Sequence, residues 1–367
     1  MTVYFITIGL LLILCWLLHL VSIPSKIGEV VGSSVQKATE ARISKDKRIV
    51  AFLRFFLLAF VAAFRYWVGT DFRSYYRTSG WAEKFSHGDY SDPGFTLFAM
   101  FSSFLFQGKN GALTICAAII TAALFVFTII KRSENITISL LLFIFVGCFT
   151  GMFNGVRQYL ATAILFAGFH FVQEKKLLKW AVVVAIATTI HVTAILMFFV
   201  YFACNVKCNW ITITAYFIFA IIMLYLYEPL FNLVGALKQE EIDTDIEAIT
   251  RQVNILRVLV QCVPFIMFFF VGQDKINEDV DCRVLFNVCL LNAALAIASV
   301  NSVYFARFYI YTMCFQTLMY PTVLSKVSKN DRSIFIALLL FFYGIFWLYE
   351  TTKSSSLNNF QWIFKYL

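Results

Sequence analysis

Apolar runs of about twenty residues recur along the whole chain, separated by short polar segments. An α-helix rises 1.5 Å per residue, so about twenty residues cross a hydrocarbon core of about 30 Å. The runs predict about eleven spans, at roughly 3–23, 49–66, 111–130, 136–154, 157–172, 180–203, 209–227, 255–272, 284–303, 307–325 and 333–350. The pattern therefore predicts an all-α, polytopic bundle formed by a single transmembrane domain, residues 1–367.

One apolar piece is too short to cross. Phe95 to Phe106 follows Asp92-Pro93-Gly94, and twelve helical residues reach only about 18 Å. We expect this segment to lie in the outer interface, or to enter the membrane and return.

Basic residues indicate which segments face the cytoplasm. Six of them, against three acidic residues, lie between Pro24 and Arg48. The positive-inside rule places this segment in the cytoplasm and the N-terminus outside. The loop at about 67–94 is then outside, and the basic residues at 326–332 place a second outer loop at about 228–254.

Further basic groups occur at 131–132, 175–179 and 326–332. Simple crossings cannot place all three in the cytoplasm. One element between 180 and 227 must therefore be irregular. The 180–203 run, with His191 at its middle, is the candidate.

The composition supports a membrane protein, with 60% hydrophobic residues and a mean hydropathy of +0.78. The net charge of +9 needs no nucleic-acid partner, because the basic residues gather in predicted cytoplasmic segments. Cys204 and Cys208 share a short loop, but no second Cys or His pair accompanies them. A zinc site is therefore not predicted, and nothing in the chain calls for a cofactor.

Three arginines stand at the predicted outer ends of spans: Arg65, Arg157 (followed by Gln158) and Arg307. A guanidinium is always charged, and its planar fork matches phosphate. Three of them suit a pyrophosphate, and Arg257 is a fourth candidate. The alternative for each is that the side chain extends to lipid phosphates at the membrane surface.

Two titratable residues are candidates for proton transfer. His191 lies within an apolar run, and Asp71 follows Gly69-Thr70 just beyond a span. Either can act as a general base; His191 can equally be a satisfied core residue, and Asp71 can pair with an arginine. Tyr75 and Tyr309 can stack on sugar rings or belong to the aromatic belt at the membrane surface.

Four motifs follow one another between about residues 50 and 205: Arg65-Tyr66-Trp67-Val68-Gly69-Thr70-Asp71-x-x-x-Tyr75, Asp92-Pro93-Gly94-Phe95, Val156-Arg157-Gln158-x-x-Ala161 and His191-Val192-Thr193-Ala194. Their order and spacing resemble the EpsG-type branch of the bacterial polysaccharide polymerases, the Wzy group. The Tyr304–Tyr311 segment resembles a later arginine–tyrosine motif of that group. The acid before the glycine is usually glutamate there, and this chain has Asp92, which is assigned no catalytic role.

The resemblance implies a GT-C-like membrane glycosyltransferase that polymerises O-antigen or capsular repeat units carried on undecaprenyl pyrophosphate. It would act at the periplasmic face of the bacterial inner membrane, without metal or nucleotide, alongside a flippase and a chain-length regulator. Two other classes stay open. One is a transporter of an anionic solute or lipid-linked sugar, and the other is a membrane-bound O-acyltransferase with a histidine base.

Overall fold

The computed structural model describes residues 1–22, 33–88, 91–238 and 253–365, and these residues are almost entirely helical. The α-helices are α1 (Thr2–Ser22), α2 (Ser33–Ala63), α3 (Phe72–Tyr76), α4 (Thr78–Ala82), α5 (Pro93–Leu105), α6 (Ala112–Arg132), α7 (Ile136–Phe145), α8 (Cys148–Gly151), α9 (Val156–Gly168), α10 (His170–Gln173), α11 (Leu177–Ile190), α12 (Val200–Cys204), α13 (Trp210–Lys238), α14 (Ile255–Gln261), α15 (Val263–Val271), α16 (Gln273–Asn277), α17 (Val280–Ala298), α18 (Val303–Met313), α19 (Gln316–Ser325), α20 (Lys329–Lys353) and α21 (Ser355–Asn358). Short 3₁₀ turns occupy Lys84–His87, Val192–Phe198 and Ile363–Lys365. The all-helical class is thus confirmed.

Three helices in the described part of the chain are long and apolar enough to cross a membrane: α6, α17 and α20. Several others carry shorter apolar stretches, among them Trp210–Leu226 of α13. Helix α13 continues to Lys238, so residues 228–238 of the predicted 228–254 loop are helical. Residues 239–252 of that loop lie outside the described residues. The number of spans stays a prediction.

Hydropathy predicted several single spans that the structure divides. The 136–154 run breaks at Gly147, whose φ of +96° favours a residue without a Cβ. The 255–272 run breaks at Cys262, just before Pro264, which has no amide hydrogen to continue the helix. The buried residues of these pieces nevertheless belong to one continuous apolar core.

The 180–203 run is not a single crossing. Helix α11 ends at Ile190, His191 is extended, and the chain then turns back through the 3₁₀ turn and α12. The Trp180 indole donates to Met197 O at 3.1 Å, and Tyr201 Oη donates to Lys175 O at 2.9 Å. Residues 177–204 therefore form a hairpin that returns to the end where it began, with His191 at its tip. This confirms the irregular element that the basic residues required.

The basic segments meet at one end of the bundle. A small cavity of about 220 Å³ is lined there by Arg132, His170 and Asp279, among others. Lys326 pairs with Asp279 at 3.1 Å and with Glu278 at 3.6 Å. We call this the basic end; it is the end that the positive-inside rule assigns to the cytoplasm.

The C-terminal segment packs at the opposite end, which is a feature that the sequence did not predict. Strand β1 (Arg65–Tyr66) pairs antiparallel with β2 (Gln361–Trp362). The Gly69 amide donates to Ser356 O at 2.9 Å, and Tyr4 Oη donates to Leu357 O at 3.0 Å. The segment thus ties α1 and the loop after α2 together.

Helix α5 is the short apolar piece. Phe95 at its start packs against Tyr75 and Trp81 of the preceding loop. Six residues after its end, the Gly111 amide donates to Tyr76 O at 2.7 Å. Within six residues of the end of α5 the chain has therefore returned to the loop beside which the helix begins, which agrees with a helix that does not cross.

Candidate functional site

A cavity of about 830 Å³ lies at the end of the bundle opposite the basic end. It is bordered by the loop after β1, the turn before α9, the tip of the 177–204 hairpin, α14, α18 and the end of α20. Eight of the nine residues singled out in the sequence line it: Asp71, Tyr75, Arg157, Gln158, His191, Arg257, Arg307 and Tyr309. Residues that are far apart in sequence therefore converge on one site.

Asp71 is held at the cavity by a close approach of two chain segments. Gly69 has a φ of +97°, and a Cβ there would lie 2.2 Å from Phe153 O. This contact lets the Thr70 amide donate to Asn154 Oδ1 at 2.9 Å, while Thr70 Oγ1 donates to Asp71 Oδ1 at 3.2 Å. Burial raises the pKa of Asp71, and the Thr70 hydrogen bond and the nearby arginines only partly offset this.

The Arg157 guanidinium is held by contacts with three side chains. Its Nε donates to Tyr75 Oη at 3.0 Å, its Nη1 pairs with Asp92 Oδ2, and the guanidinium lies 4.8 Å from the Trp81 ring centre. Tyr75 itself stacks on Trp81 at 5.2 Å and 16°. Tyr75 therefore positions Arg157 in this structure, and its ring face is covered. Nη2 of Arg157 has no partner among the described residues and can meet a ligand.

Asp92 joins this arginine to the hairpin tip. The residue is 6% exposed and has a left-handed backbone with a φ of +48°. Oδ1 accepts from the Val192 amide at 2.9 Å, and Oδ2 lies 3.7 Å from His191 Nδ1, too far for a hydrogen bond. Burial alone would raise the pKa of Asp92, but His191, Arg157 and the Val192 amide together lower it. Asp92 is therefore an ionised carboxylate.

Gly94 allows this contact. A Cβ there would lie 2.2 Å from Thr189 Oγ1 on α11. Without a side chain, the start of α5 packs directly on the end of α11, so Asp92 reaches the first amide after the helix break.

Helix α18 is fixed to the hairpin and to α9 by polar side chains. Gln158 Nε2 donates to Arg307 O, and Thr193 Oγ1 lies 2.8 Å from Tyr311 Oη. Gln158 is 6% exposed, and Tyr309 is also buried. The Arg307 side chain is exposed and acts electrostatically on Asp71.

Arg257 forms the other cationic part of the cavity. Its Nε donates to Glu350 Oε2 at 2.6 Å, and its Nη2 pairs with the same oxygen. Glu350 was missed by sequence reasoning, although it ends the last apolar run as the arginines end theirs. A charged residue at the end of an apolar run was the criterion for the arginines, and it also indicates Glu350.

Residues 48–366 match the EpsG family of proteins. The chain belongs to the EpsG family. The match covers every residue named above as lining the cavity. Comparison with curated proteins and with solved structures gave no match.

Arg65 of this EpsG-family chain does not line the cavity, contrary to the expectation that it binds pyrophosphate there. It is 1% exposed; its Nε donates to Val68 O at 3.2 Å and its Nη1 donates to Ala62 O. Its guanidinium also lies 4.7 Å from the Phe153 ring centre. A guanidinium satisfies carbonyl groups left unpaired where a helix ends. Arg65 therefore fixes the turn after α2.

Among residues 1–22, 33–88, 91–238 and 253–365, no group of three or more His, Cys, Asp or Glu side chains could hold a metal ion. The polar groups of the EpsG-family cavity instead offer guanidinium donors, a carboxylate and an imidazole. These groups can bind an anion and accept a proton.

Proposed function

We propose that this EpsG-family protein joins undecaprenyl-pyrophosphate-linked oligosaccharide units into O-antigen or capsular polysaccharide. The observation that carries the proposal is the convergence of Arg157, Arg307, His191 and Asp71 on one cavity. Family membership supports a polysaccharide polymerase. The proposal includes a GT-C-like bundle in the bacterial inner membrane, with its cavity facing the periplasm and a flippase and chain-length regulator as partners.

The reaction would transfer the growing chain to a new unit. A hydroxyl at the non-reducing end of the new unit attacks the anomeric carbon of the chain, and the bond from that carbon to pyrophosphate breaks. Negative charge develops on the leaving pyrophosphate. The free donors of Arg157 and the exposed Arg307 guanidinium suit that charge, because preorganised cations stabilise it most strongly in a site shielded from water.

The attacking hydroxyl must lose its proton. His191 is the preferred base, because a proton on Nδ1 faces Asp92 and leaves Nε2 free to accept another. Asp92 would then stabilise the imidazolium that forms. Asp71 is the second candidate, because its raised pKa makes it a stronger base than an exposed aspartate.

The test uses the purified full-length protein in lipid nanodiscs with lipid-linked repeat units as the sole substrate. Long chains and free undecaprenyl pyrophosphate should appear together. In a strain without the gene, surface polysaccharide should retain a single repeat unit and lose long chains. Vectorial uptake of the lipid-linked unit without bond formation would refute the proposal in favour of transport.

A further inference from the structure

Three neutral polar side chains that are almost completely buried line the cavity around Arg257. Tyr159 of α9, Gln261 of α14 and Tyr309 of α18 are 4%, 2% and 8% exposed. Tyr159 and Tyr309 both interact electrostatically with Arg257, which lines the same cavity. Gln261 follows Arg257 by four residues, so it lies on the same face of α14, about 6 Å further along the helix. We call Tyr159, Gln261 and Tyr309 the neutral cluster.

The orientation of the Gln261 carboxamide is fixed by buried neighbours in the bundle core. Its Oε1 accepts from Asn292 Nδ2 at 2.7 Å and from Gln316 Nε2. The oxygen of Asn292 accepts from Thr312 Oγ1 at 3.0 Å. The oxygen of Gln316 accepts from Tyr343 Oη at 2.7 Å. Both neighbours therefore present NH₂ groups, which are donors only, so a flipped Gln261 carboxamide would oppose donor to donor. Its oxygen is thus committed to the core, and its NH₂ group is left to the cavity.

The neutral cluster offers hydrogen-bonding groups to the cavity. Within the described part of the chain, the Gln261 NH₂ group and the hydroxyls of Tyr159 and Tyr309 form no hydrogen bond. None of these three groups is sealed from solvent, and their residues line the cavity. Buried polar groups in folded proteins are almost always hydrogen-bonded, so groups without a protein partner call for an explanation. Oxygen acceptors of a ligand in the cavity would provide such partners.

We infer that the neutral cluster binds oxygen atoms of the lipid-linked substrate, with Gln261 as a substrate-binding residue. Asn292 and Gln316 are then positioning residues, which hold the Gln261 NH₂ group toward the cavity. This inference rests on the proposed polymerase function. The bound oxygens can belong to the sugar or to the pyrophosphate, because both accept from an amide or a hydroxyl. Gln261 and Tyr159 thereby join the substrate site, although no sequence motif indicated them.

Removing the tyrosine hydroxyls gives the sharpest test, because no group in the described part of the chain bonds to them. The Kd of the protein in nanodiscs is measured for undecaprenyl pyrophosphate and for the undecaprenyl-pyrophosphate-linked repeat unit. We expect Tyr159→Phe and Tyr309→Phe to keep the wild-type Tm and to raise the Kd for the linked repeat unit. The increase should be about two- to tenfold for a neutral oxygen and about ten- to a hundredfold for a charged one.

The two probes distinguish the source of the bound oxygen. An increase in Kd confined to the linked repeat unit assigns the cluster to sugar oxygens. An equal increase for both probes assigns it to the pyrophosphate. Either result supports the inference.

Tyr216→Phe is the matched control for the tyrosine variants. Tyr216 is 8% exposed and does not line the cavity, and its hydroxyl donates to Ala203 O at 2.8 Å. Because this hydroxyl is bonded within the protein, the control should lower the Tm and leave both Kd values unchanged.

The amide network is tested on the same two constants. Gln261→Met has a side chain of similar length without hydrogen-bonding groups, and should raise the Kd by about the same factor as the tyrosine variants. Asn292→Ala removes one donor that orients Gln261 and should raise the Kd by a smaller factor. Asn287→Ala is its control, since Asn287 is equally buried on α17 but donates to Cys204 O and Val206 O. The control should lower the Tm alone.

The results that contradict the inference are specific. Unchanged Kd values in both tyrosine variants overturn it, and so does an equal increase in the Tyr216→Phe control. An Asn292→Ala protein with the wild-type Kd removes the positioning role. A wild-type protein that makes no polymer refutes the proposed function itself, whereas the Kd values still decide whether the cluster binds oxygens of the two probes.

Discussion

Replacing Asp92 by Asn should test the link between Arg157 and the hairpin tip most directly. The carboxylate accepts from the Val192 amide at 2.9 Å and from Arg157, and the Asp92 side chain is buried. Asparagine has nearly the same volume and one oxygen. Its single oxygen can take the place of only one of the two carboxylate oxygens. The NH₂ group would then face either the Val192 amide or the Arg157 guanidinium, which are both donors.

The magnitude follows from these contacts. A hydrogen bond to a charged group contributes about 1.5–3 kcal/mol, and the variant also leaves the Arg157 charge less well paired. We expect the free energy of unfolding to fall by about that amount. Each 1.4 kcal/mol of activation free energy corresponds to a tenfold change in rate. If displacement of Arg157 costs the transition state the same free energy, elongation should slow about ten- to a hundredfold.

The pH dependence gives a second readout. An aspartate whose pKa is lowered by folding stabilises the protein at pH values above its unfolded pKa of about 3.9. That contribution is lost as the pH falls through the lowered value. The stability difference between wild type and Asp92→Asn should thus be constant above about pH 5 and shrink below about pH 4.

The assay combines thermal unfolding in nanodiscs with elongation per folded molecule. Asp279→Asn is the matched control, since Asp279 also accepts from an amide, Cys282 N at 2.9 Å, and pairs with a cation, but at the basic end. The control should lose stability and keep its elongation rate. An Asp92→Asn protein that elongates at the wild-type rate would refute the positioning role.

The other predictions concern the reacting groups and the topology. Arg157→Ala should shorten product chains and slow elongation about ten- to a hundredfold, with Lys restoring it only partly; normal chains on a polyacrylamide gel would contradict pyrophosphate binding. His191→Ala should lower the elongation rate about a hundred- to ten-thousandfold with the Kd for undecaprenyl pyrophosphate unchanged, and an active variant would move the test to Asp71→Asn. In a background without reactive native cysteines, Ser91→Cys should react with an impermeant thiol reagent in intact cells, whereas Lys176→Cys should react only after permeabilisation; the reverse pattern would place the cavity in the cytoplasm.

The sequence indicated Arg157, His191 and Asp71 because a charged or titratable group beside a long apolar run is costly and therefore conspicuous. Arg65 satisfies the same criterion, but sequence does not show which way a side chain turns. In the structure the Arg65 guanidinium contacts backbone carbonyls and the Phe153 ring and does not line the cavity. Glu350 and Arg257 are 93 residues apart, and only the tertiary structure shows them as a pair.

Hydropathy also could not locate the reversal at His191, because both arms of the 177–204 hairpin are equally apolar. The two-residue strands β1 and β2 are too short to leave a periodic pattern. The irregular element was nevertheless predictable. The positive-inside rule places the basic residues at 131–132, 175–179 and 326–332 on the same side of the membrane, which simple crossings do not allow.

The packing of the C-terminal segment at the cavity end has a consequence for the number of times that the chain crosses the bilayer. The amino group of Met1 donates to Asn358 O at 3.1 Å, so the two ends of the described chain share one face. A chain segment whose two ends lie on the same face crosses the membrane an even number of times between them. The number of predicted spans, eleven, is odd, and discounting the 177–204 hairpin leaves ten. In the proposed orientation, epitope tags placed next to Met1 and next to Lys365 should accordingly both be reached by antibody from outside the inner membrane.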